Sequence, residues 1–267
     1  MSRKSIFITG ATEGIGKLVA TDLANRFKDA GILIHGRNKE KLENTARQIQ
    51  HQTGNENIRI YLADFSSLHE VRKLSDDILA DYDSLDILIN NAGAGFAAPR
   101  LGKDGTETRF TVNYLAPFLL THLLLPAIKK SGSPRIVNLA SAGQSPIHFD
   151  DIMMDKDFDG VVAYTRSKLA IIMFTFDLAE KLKTVTANCL HPGTYLDTGM
   201  VREAGIHPLG TAQSGADAVE YLAISPELKN ISGKYFNVKN ETRANAQAYD
   251  LNARRKLHEI GLRLTGL

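Results

Sequence analysis

Short apolar runs alternate with longer amphipathic ones along the chain. The first run, Ile6-Phe7-Ile8, is compact and stops at Thr9-Gly10. Similar runs recur at residues 31–35, 58–62, 85–89, 135–139, 185–190 and 234–238. Runs this short and this rich in Ile, Leu and Val read as strands, most of them buried on both faces. Between them, apolar residues spaced three or four apart predict helices. One begins at Lys17, and others cover residues 39–52, 68–82, 107–130, 161–182 and 213–223. Strands separated by helices pair in parallel, with the helices on both faces. The expectation is therefore one α/β domain over residues 1–267, doubly wound in the Rossmann manner, with a mostly parallel seven-stranded sheet. No linker, repeat or low-complexity segment divides it.

Composition changes this picture little but excludes several functions. The chain is 43% hydrophobic and 23% charged, enough for a full core. Net charge is +2 and the basic residues are scattered, which gives no footprint for nucleic acid. Cys189 is the only cysteine, so neither a disulfide framework nor a cysteine metal site is expected, and no metal is assigned. Ser2-Arg3-Lys4 leads straight into the first strand, which fits no signal peptide. The most apolar run, residues 114–128, is interrupted by Pro117, His122 and Pro126 and falls short of the roughly 18 residues of a membrane span. A cytoplasmic setting is the expectation.

The candidate chemistry starts at Gly10, Gly14 and Gly16, between the first strand and the first helix. Strand, glycine turn and helix together aim backbone N–H groups and a positive helix end at a phosphate. Gly10 would permit the turn, Gly14 the approach of a pyrophosphate, and Gly16 the packing of helix on strand. The glycines alone also fit a plain connecting turn. In a doubly wound sheet, ligands lie beyond the carboxyl ends of the strands. Asp64, Asn90-Asn91-Ala92-Gly93, Ser141 and His191-Pro192-Gly193 all fall there. Tyr164 and Lys168 are four apart and share a helix face. A neighbouring ammonium would lower the pKa of the tyrosine and make it a usable acid or base.

Cofactor choice is read at residues 34–38. A site for NAD usually ends the second strand with a carboxylate for the ribose 2′-OH. This chain has Ile34-His35-Gly36-Arg37-Asn38 there. Arg37 offers a bidentate grip for a 2′-phosphate, and His35 and Asn38 offer hydrogen bonds. Glu13, inside the glycine turn, would oppose a phosphate unless it faces solvent. NADP(H) is favoured, and NAD(H) stays open.

Thr9-Gly10-x-x-x-Gly14-Ile15-Gly16, Asn90-Asn91-Ala92-Gly93, Ser141 and Tyr164-x-x-x-Lys168 together resemble the short-chain dehydrogenase/reductase family over nearly the whole chain. His35-Gly36-Arg37-Asn38, Asp64-Phe65-Ser66-Ser67 and His191-Pro192-Gly193-Thr194 resemble its retinol-dehydrogenase-like branch. Members of that branch act on retinoids and other apolar carbonyl compounds. The resemblance implies a catalytic set of Asn113, holding a relay water, Ser141, bonding the substrate oxygen, and Tyr164 with Lys168. It also implies cofactor contacts from Thr12, Glu13 and Ile15 beside the three glycines, and from Asp64 and Phe65 near the adenine. Asn91, Ala92 and Gly93 would contribute, as would Pro192, Gly193 and Thr194. The threonine capping the nicotinamide amide would be Thr198, with Asp197 and Thr194 as alternatives.

Two segments depart from the simplest members. Residues 144–160 form an extended loop, expected near the substrate mouth. After the sixth strand, Pro192-Gly193-Thr194-Tyr195-Leu196-Asp197-Thr198 is one residue longer than the family's usual P-G-x-V-x-T. About residues 194–212 form a substrate loop, and Met153, Met154, Phe158, Tyr195, Leu196, Met200, Val201, Ile206 and Leu209 are candidates for an apolar pocket. The resemblance also implies a homodimer or homotetramer. The helix at 161–182, apolar on more than one face, would need a second subunit to cover it. Reversible hydride transfer to a small carbonyl or from an alcohol is the expected activity. A dinucleotide-binding sensor or scaffold without turnover is the alternative, and an epimerase of the extended fold would need a larger C-terminal domain.

Overall fold

The computed structural model describes residues 4–267, so the expectation drawn from Ser2 and Arg3 lies outside the described residues. The strands are β1 (Ser5–Ile8), β2 (Gly31–Gly36), β3 (Ile58–Leu62), β4 (Ile87–Asn90), β5 (Arg135–Leu139), β6 (Thr186–His191), β7 (Tyr235–Asn237) and β8 (Asn240–Thr242). The helices are α1 (Gly14–Arg26), α2 (Lys39–Thr53), α3 (Leu68–Asp81), α4 (Thr108–Phe110), α5 (Ala116–Ile128), α6 (Gly160–Lys181), α7 (Gly199–Glu203), α8 (Ala212–Ile224) and α9 (Leu251–Thr265). The sheet order is β3-β2-β1-β4-β5-β6-β7-β8, parallel throughout except between β7 and β8. The chain order reverses at β1 and β4, which places a crevice at their carboxyl ends.

The inner strands are continuously buried because helices cover both faces. Ile6 and Ile8 join Leu23 of α1, Ile49 of α2 and Leu222 of α8 in one layer. Phe7 points the other way, into a layer with Leu74 of α3, Phe118 of α5 and Phe174 of α6. The eighth strand is the departure from seven. Its Asn240, Glu241 and Thr242 are all exposed, so no apolar pattern announces it.

Residues 108–128 form one helical run with a five-residue π turn, Thr111–Leu115, between α4 and α5. The run is 21 residues, longer than the 114–128 stretch read from hydropathy, and is long and apolar enough to cross a membrane. It lies instead in the core, with 72% of its apolar window buried within the protein.

Beyond residue 238, the last element read from the sequence, the chain goes on to form α9. Asp250 caps it, accepting from the Asn252 and Ala253 N–H groups, and Gly266 closes it at φ 67°. Helix α9 packs on the second face of α6 and on the π turn. Tyr114 donates to the Leu257 carbonyl at 3.1 Å, and Arg254 pairs with Asp177 and Glu180 of α6. The apolar run 169–174 and Phe176 are accordingly at most 5% exposed in a single chain. That helix therefore requires no second subunit to cover it, because α9 of the same chain does so. A Cβ at Gly261 would stand 2.7 Å from the Tyr114 hydroxyl and 3.0 Å from the Phe118 ring. Gly261→Leu should cost about 1–3 kcal/mol of stability by overpacking, read as a lower midpoint in denaturant unfolding. An unchanged midpoint would show that α9 does not close over this face.

Candidate active site

The glycine turn is held by the strand beside it. Thr9 Oγ1 accepts from the N–H groups of Asn91 and Ala92 at 3.0 and 2.9 Å. The Asn91 amide donates back to the carbonyls of Thr9 and Gly10 at 2.8 and 2.9 Å. Gly10 sits at φ 64°, and a Cβ there would lie 2.7 Å from Ala92 Cα. A Cβ at Gly16 would lie 2.4 Å from the Gly10 carbonyl oxygen. The turn and the start of α1 thus exist only with glycine at these two places. Glu13 at the N-cap gives α1 no side-chain hydrogen bond, which leaves first-turn N–H groups for an anion. Its carboxylate is more than half exposed and lies 3.7 Å from Lys41 Nζ, so a cation accompanies it.

The ends of β2 and β3 form the next wall. Arg37 is exposed at the rim and makes no ion pair or side-chain hydrogen bond among the described residues. Asn38 does not line the cleft, because its side chain caps α2 by accepting from the Lys41 N–H at 2.9 Å. His35 is also spent on the protein, between Gly10 and Ala63, and is not a free donor for a phosphate. Asp64 accepts from the Ser66 N–H and hydroxyl and lies 3.4 Å from Lys103. Burial would raise its pKa, but the Ser66 hydrogen bonds and the Lys103 charge prevail and hold it below the usual range. Phe65 stacks on His35 at 4.2 Å.

At the other end stand Tyr164 and Lys168 on α6, with Ser141 just beyond β5. Lys168 Nζ donates to the Leu139 carbonyl at 3.0 Å and lies 5.7 Å from the Tyr164 ring centre. Burial lowers its pKa to about 8. Burial raises the Tyr164 pKa, opposed by a hydrogen bond from Ser141. The expected lowering of the tyrosine by the Lys168 ammonium does not occur: burial prevails, and Ser141 alone opposes it. Tyr164 is a phenol at neutral pH, the form that donates a proton. The Phe96 ring meets it edge-on at 5.9 Å.

Asn113 lies in the π turn, a distortion often found at functional positions. Its Oδ1 accepts from the Ala94 N–H at 2.7 Å, and its Nδ2 donates to the Ala94 carbonyl and to Ser167. The side chain pins the loop after β4 to α6 and does not itself line the cleft.

Beyond β6, Pro192 and Thr198 line the cleft, while Gly193 and Thr194 do not. Thr194 bonds His191 at 3.1 Å, and Asp197 is held by Arg202 at 2.7 Å. Of the three candidates for the amide-capping residue, Thr198 alone faces the cleft, across from Gly14. Loop 144–160 does not reach the cleft; Phe158 is instead sandwiched between Arg100 and Arg109. Of the apolar pocket candidates only Met200 lines it. Ala94, Gly95, Ala97, Ala98, Pro99 and Leu101-Gly102-Lys103, none of them singled out from the sequence, wall the cleft from the loop after β4. Their run of Ala and Gly beside Asn91 was the available signal.

One cleft of about 730 Å³ is lined by Gly10, Gly14 and Gly16, Arg37, Asp64, Asn91, Tyr164, Lys168 and Thr198, while Ser141 sits beside it just past β5 and accepts from the Gly143 N–H at 3.1 Å. A turn that no Cβ could enter, beside an uncapped helix start, fits a dinucleotide pyrophosphate. A sheet edge with that cradle and a Tyr-Lys-Ser group defines a nicotinamide-dependent oxidoreductase. The family pattern described as short chain dehydrogenase matches residues 4–208, and the chain belongs to that family, in its retinol-dehydrogenase-like branch. It is 36% identical to retinol dehydrogenase 13 of Mus musculus over 99% of this chain and 84% of that one. It is 36% identical to retinol dehydrogenase 11 of Mus musculus over 99% and 87%. A crystal structure of a Mycobacterium paratuberculosis protein superposes with a TM-score of 0.79 at 26% identity, covering 99% of this chain and 94% of that one. A short chain dehydrogenase from Shigella flexneri, solved in complex with NADP, superposes with a TM-score of 0.70 at 26% identity, covering 90% and 98%.

Proposed function

We propose that this enzyme uses NADP(H) to interconvert an apolar carbonyl compound and its alcohol. The observation that carries the reading is the cleft itself. One part of it holds Tyr164 and Lys168, and its rim carries Arg37, which has no ion pair or side-chain hydrogen bond among the described residues. The dinucleotide supplies or takes up the hydride when bound. In reduction, Tyr164 gives its phenolic proton to the substrate oxygen, and Ser141 donates a second hydrogen bond to that oxygen. Together they stabilise the charge that develops there. Lys168 holds its ammonium near the phenolate left on Tyr164 and offers a donor to the ribose. Asn113 acts as a brace, tying the Ala94 loop to Ser167, one residue before Lys168.

Residues Ala94, Gly95, Ala97, Ala98, Pro99 and Met200 make the substrate end largely apolar and uncharged, which supports an apolar substrate. Support for NADP(H) comes from Arg37, from the absence of a carboxylate at the end of β2, and from the NADP held by the Shigella flexneri relative. The test is NADPH and NADH oxidation with a panel of aldehydes, ketones and quinones. Turnover of apolar members with NADPH supports the reading. Tight cofactor binding with no turnover of any member favours the sensor or scaffold.

A further inference from the structure

His35, next to last in β2, is 3% exposed. Nδ1 accepts from the Gly10 N–H at 3.2 Å. A ring nitrogen that accepts carries no proton, so the proton sits on Nε2, which donates to the Ala63 carbonyl at 3.0 Å. The main-chain carbonyl of His35 accepts from the Ala11 N–H at 2.8 Å. The ring also lies flat against Phe65, with 22° between the planes. One residue therefore holds two successive amides of the glycine turn and both ends of the Ala63–Phe65 wall.

We infer that His35 is a positioning residue for the cofactor, which locks the glycine turn to the adenine-side wall through the neutral Nε2–H tautomer. This rests on the reading of the cleft as a dinucleotide site. A charged ring would set an Nδ1–H against the Gly10 N–H. Burial prevents that by lowering the pKa to about 4, against the Ala63 hydrogen bond and the Asp64 charge. Without an acceptor at this point, the Gly10 N–H loses its partner and the turn relaxes away from a pyrophosphate.

The test compares His35→Leu, which removes the acceptor, with His35→Asn, which restores an oxygen near Nδ1. His35→Leu should raise KM for NADPH about tenfold or more, the scale of an unpaired buried N–H, with kcat changed less than about threefold. His35→Asn should recover most of the loss. Nitrogen-15 NMR of the wild-type protein at neutral pH should report the Nε2–H tautomer. An unchanged KM in His35→Leu, a fall in kcat alone, or an Nδ1–H tautomer overturns the inference. If His35→Leu does not fold, the wild-type tautomer and His35→Asn decide. A wild type that binds neither NADPH nor NADH refutes the dinucleotide reading itself, a result distinct from any change in His35.

Discussion

Replacing Tyr164 with Phe should lower kcat for carbonyl reduction by about 10²–10⁴-fold, the usual contribution of a positioned acid. Only the hydroxyl is lost, and the ring keeps its edge-on contact with Phe96. Affinity for NADPH should stay within about twofold, because the effect belongs to the transition state rather than to the ground state. The direction of the tyrosine pKa sharpens this. Burial holds Tyr164 protonated at neutral pH, so reduction finds its acid ready, whereas oxidation must first remove that proton. Raising the pH should therefore speed alcohol oxidation and slow carbonyl reduction. Steady-state kinetics of the variant in both directions checks both statements. Activity undiminished in the Phe variant would remove Tyr164 from the mechanism.

The second large effect belongs to Arg37. It stands at the rim with no carboxylate to hold it and no other partner among the described residues. A charge-assisted hydrogen bond to phosphate is worth about 1.5–3 kcal/mol, which corresponds to roughly 10- to 150-fold. Arg37→Ala should lower kcat/KM with NADPH by that factor and leave kcat/KM with NADH nearly unchanged. Lys41 lies 3.7 Å from the Glu13 carboxylate, which limits the repulsion Glu13 exerts on the same phosphate. A wild type that prefers NADH, or a variant with the wild-type preference, would show that Arg37 does not read the 2′-phosphate.

The parts of this site that sequence makes legible are those that backbone geometry dictates. Gly10 and Gly16 are readable because no other residue fits so near Ala92 and the Gly10 carbonyl. Tyr164 and Lys168 are readable because helical spacing puts them on one face, whereas Thr198 comes only from the family resemblance. The roles of small polar residues are harder. Asn38 and His35 look like free donors in the sequence, yet one caps α2 and the other braces the Gly10 turn. A capping signature, Asn38 three residues before Lys41, was present for the first. Nothing local reveals the second, because its partners lie on two other strands. Loops mislead for a related reason. Residues 144–160 carry no period that says where they fold, and Phe158 goes to Arg100 and Arg109 instead of the cleft. Helix α9 was readable in principle. Its Asp250 cap, its closing Gly266, and Ala253, Leu257, Ile260 and Gly261 on one face form a regular signature. Missing it made α6 look uncovered and an oligomer look necessary.

The account stands most directly on hydride passing between cofactor and substrate in this cleft. The measurement is single-turnover reduction of an apolar aldehyde with NADPH deuterated at the transferable position, using wild type and Tyr164→Phe. The account predicts that wild type places the deuterium on the carbonyl carbon of the alcohol formed. The variant should bind the same NADPH and transfer it at least about 10²-fold more slowly. Wild type that binds NADPH tightly and delivers no deuterium to any carbonyl substrate would contradict the account and leave a dinucleotide sensor in its place.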